Sequence, residues 1–275
     1  MIKNILIPID FSDVSNNAME YVKHLARTVT CNVLLFHSSK FVVTADQVLD
    51  TLYTGIFSNS DELSKQMDVL VAGFEKEGIS ASKEILIGLL GEDIKHAVEK
   101  HNIDLIVSGT SGASGLDGMF FGTNSVIIFE HVKCPVLVIP SNCNFRLIKN
   151  ILYATDFQKG DQKELAKICE FAQLFEAEVI VSHINTNTSK FAAENEKLDR
   201  IADVAANEIT YNNISYQLSH SENVYEGLEK NITSLYIDII CMAKSEKGFF
   251  ENLISKSNTK EMAFHSRIPL MVVHL

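Results

Sequence analysis

Two short glycine-rich segments are the part of this sequence best suited to binding an anion. Gly109–Gly112 is followed, after nine further residues, by Gly122–Ser125. Glycine lets the backbone approach a ligand closely and present its N–H groups. The second segment directly precedes residues with helical spacing, so its amides and hydroxyls would lie at a helix N-terminus, where the helix dipole favours phosphate. The same pattern also fits a surface loop that ends in a Ser or Thr N-cap.

A carboxylate follows the first run of apolar residues. Asp10 closes the run Ile5–Ile9, and Ser12 and Asp13 come next. A carboxylate at the end of a parallel strand can accept hydrogen bonds from a base or a ribose at the edge of the sheet. The alternative is that Asp10 caps or precedes the helix that begins at Ser12. Ser38, after the second apolar run, is a weaker candidate of the same kind.

The elements that must position these residues occur twice along the chain. The matched blocks are Lys3–Phe11 with Lys149–Phe157, Val33–His37 with Val179–His183, Ile103–Ile106 with Ile237–Ile240, and Cys134–Val138 with Ile268–Val272. The offset is 146 residues for the first two blocks and 134 for the last two. Four blocks in the same order indicate a tandem duplication. We therefore predict two domains, over residues 1–143 and 144–275.

Within each half, apolar runs of strand length alternate with stretches of helical spacing. The runs of the first half are Ile5–Ile9, Val33–Phe36, Glu84–Ile87, Leu105–Ser108 and Val136–Ile139. Continuous apolarity predicts strands buried on both faces, and alternation with helices predicts a parallel sheet. The predicted fold class is α/β, with two tandem doubly wound, mostly parallel, Rossmann-like sheets of five strands each. Ligands of such sheets bind beyond the carboxyl ends of the strands.

Composition and charge exclude several classes of protein. The chain is 46% hydrophobic and 21% charged, which is typical of a soluble globular protein. A net charge of −11 disfavours nucleic acids and anionic membranes as partners. No apolar run approaches the ~18 residues of a membrane span. The five cysteines include no CxxC pair, so we expect reduced thiols and a cytoplasmic location.

The chain lacks the short motifs of dedicated enzymes. It contains no GxxxxGK[ST], no GxGxxG in the first strand–helix turn, no GxSxG and no HExxH. Its nine histidines are scattered and form no cluster with metal-ligand spacing. We therefore expect no catalytic residue and no metal site, so that any hydrolysis of ATP would be slow and incidental.

Taken together, three features resemble the universal stress protein family in its tandem two-domain form. They are Pro8–Ser12 after the first strand, His37 at the end of the second, and the spacing G-x2-G-x9-G-[S/T] closed by Cys134–Val138. The resemblance covers essentially the whole chain and implies a fold like that of the adenine nucleotide alpha hydrolases. It also implies ATP as the ligand, with or without magnesium.

Carried over residue by residue, the resemblance implies a set of contacts. The residues expected to face adenine and ribose are Pro8, Asp10 and Ser38. Those expected to approach the ribose and phosphates are Ser108, Gly109, Ser111 and Gly112. Those expected to bind the phosphate tail are Gly122, Thr123, Asn124 and Ser125. Two residues depart from the family's pattern, since Ser38 replaces an apolar residue and Ser111 a frequently basic one, so a modest affinity for phosphate is expected.

The second half keeps Asp156 and His183 but loses the glycines. Gly109, Gly112 and Gly122 correspond to Ala243, Glu246 and Lys256. A glutamate in a phosphate loop repels the ligand, and the lost glycines remove the close backbone approach. Lys256 would compensate in part as a point charge. We therefore predict one competent nucleotide site, in the N-terminal domain.

The resemblance also implies that the domains pair as an intramolecular pseudo-dimer through Val136–Ile139 and Leu270–His274, and it leaves a homodimer open. The expected function is a non-catalytic stress or regulatory protein that binds an adenine nucleotide. The alternatives are a scaffold or adaptor that binds no nucleotide and, with less support, a slow ATPase or phosphotransferase. All leave the protein partners open. We expect Phe41–Ser60 to form a helix and an interface, and Met119–Phe121 to pack internally.

Overall fold

The computed structural model describes residues 2–39, 56–110, 123–158, 160–244 and 267–274, with the backbone alone for 56–60. The strands are β1 (Asn4–Pro8), β2 (Asn32–Ser39), β3 (Ser80–Ile87), β4 (Leu105–Thr110), β5 (Val136–Pro140), β6 (Asn150–Ala154), β7 (Glu178–Asn185), β8 (Ile214–His220), β9 (Ile239–Lys244) and β10 (Leu270–His274). The helices within these ranges are α1 (Asp13–Thr28), α2 (Ile56–Glu75), α3 (Leu90–His101), α4 (Thr123–His131), α5 (Asp161–Ala172), α6 (Phe191–Glu208) and α7 (Val224–Ser234). A short 3₁₀ helix, Thr188–Lys190, precedes α6.

The strands form one sheet in the order β3-β2-β1-β4-β5-β10-β9-β6-β7-β8. Pairing is parallel within each half, and β5 and β10 pair antiparallel, with Leu137 opposite Met271. The predicted α/β class and the two mostly parallel five-stranded halves are therefore confirmed. The two halves meet at the strands that the resemblance placed at their interface, and they form one continuous sheet.

Each central strand is buried on both faces, which explains its continuous apolar run. In β1, Ile5 and Ile7 belong to one hydrophobic cluster and Leu6 belongs to the cluster on the opposite face. All three side chains are fully buried. Successive side chains of a strand point to opposite faces, so a strand covered on both sides requires apolar residues at every position.

Helix α1 packs on the sheet through a stripe of apolar residues. Ala18, Val22 and Leu25 recur at helical spacing and are buried. Ser12 is the N-cap, and its hydroxyl accepts a hydrogen bond from the backbone N–H of Ser15 at 3.2 Å. This cap fixes where the first strand–helix turn ends and the helix begins.

Some sequence-based expectations concern residues that the structure describes only in part. The segment Phe41–Ser60 overlaps α2 from Ile56 onward, and residues 41–55 lie outside the described residues. Met119–Phe121 also lies outside them. The domain boundaries at 143 and 144 stay a prediction. Within the described part of the chain, no helix has the length and apolarity needed to cross a membrane.

Candidate functional site

A cavity of about 310 Å³ opens in the N-terminal half, beyond the carboxyl ends of β1, β2 and β4. The order of the sheet reverses here, because β1 pairs with β2 on one side and with β4 on the other. The helix after β1 and the helix after β4 pack on opposite faces of the sheet and open a crevice between these two strands, where doubly wound proteins bind their ligands. The predicted residues that line this cavity are Pro8, Asp10, Ser38, Ser108, Gly109 and Asn124.

The other predicted residues lie elsewhere or outside the described ranges. Thr123, the first residue of α4, is exposed, and Ser125 is buried at 2% exposure. Neither lines the cavity formed by the described residues. Ser111, Gly112 and Gly122 lie outside these residues. Contact with a nucleotide stays a prediction for every predicted residue, including those that line the cavity.

Asp10 lines the cavity and also orders the turn before α1, while its contact with a base or a ribose stays a prediction. Its Oδ1 accepts hydrogen bonds from the backbone N–H of Ser12 at 3.1 Å and from the Ser12 hydroxyl at 2.5 Å. Partial burial raises the pKa of this carboxyl, but the hydrogen bonds from Ser12 lower it by more, so the pKa lies below its usual value. The cavity therefore contains a carboxylate that is ionised at neutral pH, suited to accept from hydroxyl groups.

The turn around Asp10 has an unusual backbone conformation that recurs in the other half. Phe11 has a φ of 62° and Phe157 a φ of 61°. Positive φ is uncommon for a bulky residue and is maintained only where the surroundings favour it. Each ring lies beside a histidine, with centroids 5.4 Å apart for Phe11 and His37 and 4.1 Å apart for Phe157 and His183. The duplicated turn is thus an integral part of the fold of both halves.

His37 ties the ends of β1 and β2 together. Its Nδ1 lies 2.7 Å from the carbonyl oxygen of Ile9, and its Nε2 lies 3.0 Å from the hydroxyl of Ser39. Because a carbonyl oxygen only accepts, Nδ1 is the donor in the first contact. His183 repeats the first contact with the carbonyl oxygen of Thr155 at 2.8 Å. The histidine at the end of the second strand therefore positions the backbone of the cavity.

Ser38 lines the cavity with a hydroxyl whose hydrogen is already engaged. It donates to Oδ2 of Asp93, in the first turn of α3, at 2.6 Å. The serine oxygen then offers only acceptor capacity to a ligand. Sequence reasoning missed Asp93, whose only signal was an acidic residue early in the helix after the third strand. A Cβ on Gly88 would lie 2.6 Å from Oδ1 of Asp93, so a glycine there leaves room for this carboxylate.

Gly109 is required for packing within the protein. A Cβ at this position would lie 2.2 Å from the carbonyl oxygen of Val14 and 2.7 Å from its Cγ1. No side chain fits at that distance from a backbone atom, so β4 can pass α1 only with a glycine here. The sequence pattern suggested that this glycine serves close approach of a ligand. The structure gives a second reason for a glycine at this position, which is the close contact between β4 and the first turn of α1.

Helix α4 presents its N-terminal half to the cavity. Asn124 and Ile128 are four residues apart, lie on the same face of the helix, and both line the cavity. The first backbone N–H groups of a helix lack partners within it and carry the positive end of the helix dipole. The cavity therefore has a carboxylate on the β1 side and a helix N-terminus on the β4 side.

The corresponding turn of the second half is occupied by its own polar side chains. Asp161, which aligns with Ser15, accepts hydrogen bonds from the hydroxyls of Tyr153 at 2.8 Å and Thr155 at 2.6 Å. Burial raises the pKa of Asp161, and it raises the pKa of Glu164 to about 7, with the nearby Asp161 adding to the effect. The aligned residues of the first half are Ser15 and Ala18, so this buried pair of acids is particular to the second half.

A second group of polar side chains lies at the end of β7. Nε2 of His183 lies 3.3 Å from Oε2 of Glu194, and Asn185 donates to the same oxygen at 2.7 Å. These contacts join the end of β7 to the first turn of α6. Among the described residues, no group of three or more His, Cys, Asp or Glu is placed to hold a metal ion.

Comparison with known proteins agrees with the duplicated fold. The profile of the universal stress protein family matches residues 1–140 and again residues 147–274. A universal stress protein of Methanocaldococcus jannaschii is 29% identical over 141 residues, which is 50% of this chain and 81% of that protein. The crystal structure of a universal stress protein from Archaeoglobus fulgidus covers 98% of both chains, with a TM-score of 0.74 and 18% identity, a likeness of fold.

Another family protein, from Arabidopsis thaliana, has been solved with AMP bound. It covers 50% of this chain and 90% of its own, at 19% identity and a TM-score of 0.35. The two profile matches together span almost the entire chain, one in each half of the sheet. The chain therefore belongs to the universal stress protein family, as a member with two domains in tandem.

Proposed function

We propose that the N-terminal domain binds ATP in the cavity between β1, β2 and β4, and that the protein is a stress-response regulator without dedicated catalysis. The observation that carries the proposal is the convergence of Asp10, Ser38 and the N-terminus of α4 on one cavity at the reversal of strand order. A volume of about 310 Å³ falls at the lower end of the range of ligand sites, roughly 300–1,000 Å³. Membership of the universal stress protein family supports the same conclusion.

The polar groups along the cavity match the adenine, the ribose and the phosphates of ATP in turn. Ser38, acting as an acceptor, would receive a hydrogen bond from the amino group of adenine. The carboxylate of Asp10 would accept from the ribose hydroxyls. The N-terminus of α4, with the Asn124 amide, would face the phosphates, because its unpaired N–H groups and its dipole favour anions.

The proposal includes no catalytic step. The described residues that line the cavity contain no lysine or arginine to stabilise charge on a transferring phosphoryl group. The histidine among them, His37, has both ring nitrogens within 3.0 Å of protein atoms and so has a positioning role. We therefore propose that bound ATP acts by shifting a conformational or interaction equilibrium.

A scaffold that binds no nucleotide is the second candidate. The occupied turn of the second half favours it, because there the family fold persists while Asp161 and Glu194 engage the polar groups of the site. If the first half has followed the same course, the chain would act through contacts of its acidic surface.

The first experiment is to denature freshly purified protein and to identify any released nucleotide by chromatography and mass spectrometry, with its stoichiometry. We expect about one adenine nucleotide per chain. The absence of nucleotide, together with no thermal shift in millimolar ATP and magnesium, would contradict ATP binding and favour the scaffold.

A charge variant then locates the site. Asn124→Glu places a carboxylate at the helix N-terminus that faces the cavity. The helix tolerates an acidic residue there, but the phosphates would be repelled, so we expect ATP affinity to fall at least tenfold. Asn16→Glu is the matched control, since Asn16 is exposed in the first turn of α1 and does not line this cavity. Equal ATP affinity in both variants would show that the nucleotide binds elsewhere.

A further inference from the structure

The last turn of α4 is contacted by two side chains from the second half. Nζ of Lys244 donates to the carbonyl oxygen of Phe129 at 2.5 Å, and Nε2 of His274 lies 3.0 Å from the same oxygen. Lys244 ends β9 and His274 ends β10. Carbonyls in the last turn of a helix lack a partner four residues on within the helix, and they carry the negative end of its dipole. The second domain therefore caps the C-terminus of a helix that belongs to the first domain.

The cap is anchored within the second half. His274 is 7% exposed, and its backbone carbonyl accepts a hydrogen bond from Nζ of Lys167 on α5 at 2.5 Å. Its neighbours along β10 pair with both β9 and β5. Lys244 is the last residue of the parallel β9–β10 ladder, opposite His274. Both donors are thus held at the end of adjacent strands and are aimed at the same oxygen.

The residues that make this contact are not repeated at the aligned positions of the first half. At the offset of 134 residues, Lys244 aligns with Thr110 and His274 aligns with Pro140. Threonine has no cationic group and is too short to replace the lysine, and proline has no side-chain donor. The first half therefore has neither the lysine nor the histidine of this contact at the aligned positions. The half that contributes Lys244 and His274 is the half that lacks the glycines of the nucleotide motif.

The other end of α4 faces the cavity. Asn124 and Ile128 line it, and Ile128 directly precedes the capped Phe129. A helix of nine residues is about 13 Å long and moves as a rigid unit, so its C-terminal anchor also sets the position of its N-terminus. A displacement of about 1 Å at the last turn would reach the N–H groups that are aimed at the ligand.

We infer that Lys244 and His274 are positioning residues for the nucleotide site of the first domain. They hold α4 at the register and tilt in which its N-terminal turn receives phosphate. The second domain then acts as the support of a binding site in its neighbour. This inference rests on the proposed binding of ATP.

The test compares Lys244→Met and Lys244→Arg with the wild type. Lys230→Met is the control, since Lys230 is an exposed lysine of the same domain. ATP affinity is measured by calorimetry in magnesium, and hydrogen exchange is measured over residues 123–131. Because a cation stabilises the C-terminus of a helix, we expect Lys244→Met to loosen α4 and to weaken ATP binding about threefold to tenfold. We also expect faster exchange in α4, recovery of both readouts in Lys244→Arg, and wild-type values in Lys230→Met.

Unchanged ATP affinity in Lys244→Met would overturn the positioning role, whatever the exchange shows. A loss of affinity that Lys244→Arg does not recover, or that Lys230→Met shares, would overturn it as well. If the wild type itself binds no ATP, the proposed function fails. Hydrogen exchange in α4 then tests only whether Lys244 stabilises the C-terminus of this helix. Faster exchange in Lys244→Met would support that contact, and unchanged exchange would contradict it.

Discussion

Replacement of Gly109 by alanine tests how the first domain is assembled. The added Cβ would lie 2.2 Å from the carbonyl oxygen and 2.7 Å from the carbonyl carbon of Val14. The backbone must therefore move, because a carbonyl cannot rotate away as the tip of a long side chain can. Overpacking in a well-packed region destabilises by typically about 1–3 kcal/mol, and we expect the upper part of this range because the clash is with backbone.

The assay is urea unfolding of nucleotide-free protein, followed by circular dichroism. A loss of about 2–3 kcal/mol corresponds to roughly 4–12 °C in melting temperature for a chain of this size. Gly73→Ala is the matched control. Nothing lies within 4 Å of a Cβ built at Gly73, which is inside α2, so helix propensity predicts a gain of up to about 1 kcal/mol.

The two variants thus make the same chemical change with opposite expected signs. If Gly109→Ala were as stable as the wild type in the absence of nucleotide, the packing role of this glycine would be refuted. A loss of ATP affinity at unchanged stability would instead assign Gly109 to ligand approach, which is the role that the sequence pattern suggested.

Two further predictions follow from the sites described. Ser38→Ala removes an acceptor at the base end, so we expect the preference for ATP over inosine triphosphate, which lacks the amino group, to fall by roughly twofold to tenfold in competition titrations; an unchanged ratio would place the base elsewhere. Glu164→Gln removes an acid whose pKa is raised by burial, and by the neighbouring Asp161, from 4.5 to about 7. Because the folded chain holds this proton more tightly than the unfolded chain, the wild type loses stability as the pH rises through this interval. We expect the Gln variant to gain about 2–3 kcal/mol on the wild type between about pH 5 and about pH 8 in denaturant titrations; a pH-independent difference would contradict burial of this acid.

Much of the fold was predictable because its signals are local. The run Ile5–Ile9 predicted the first strand, which the structure places at Asn4–Pro8, since a strand covered on both faces needs apolar residues throughout. The candidate site was predictable in outline, because parallel strands place their carboxyl ends at one edge of a sheet. Asp10 in the turn after β1, Ser38 in β2 and Asn124 in α4 accordingly line one cavity.

Other parts of the site depend on contacts that no spacing reveals. Asp93 reaches Ser38 across 55 residues of sequence, and no pattern marked it as a partner. The exclusion of a side chain at Gly109 comes from Val14, on another element. Ser125 belongs to the same short segment as Asn124, but the helix turns its side chain into the interior. Helical geometry separates neighbours in sequence onto different faces, so a motif alone does not show which of its residues meet a cavity.

The sequence by itself determined the duplication, the α/β class and the edge of the sheet where polar residues gather, because these follow from repeats and from the periodicity of apolar residues. The family resemblance implied that β5 and β10 lie between the halves. The tertiary structure alone decided that these strands pair antiparallel within one continuous sheet, that Asp161 occupies the turn of the second half, and that Lys244 reaches α4 of the first. The junction and the contact of Lys244 link residues more than 100 positions apart, and Asp161 fills its turn only because the fold brings Tyr153 and Thr155 against it. Such contacts depend on how whole elements pack together, and local periodicity carries no information about that packing.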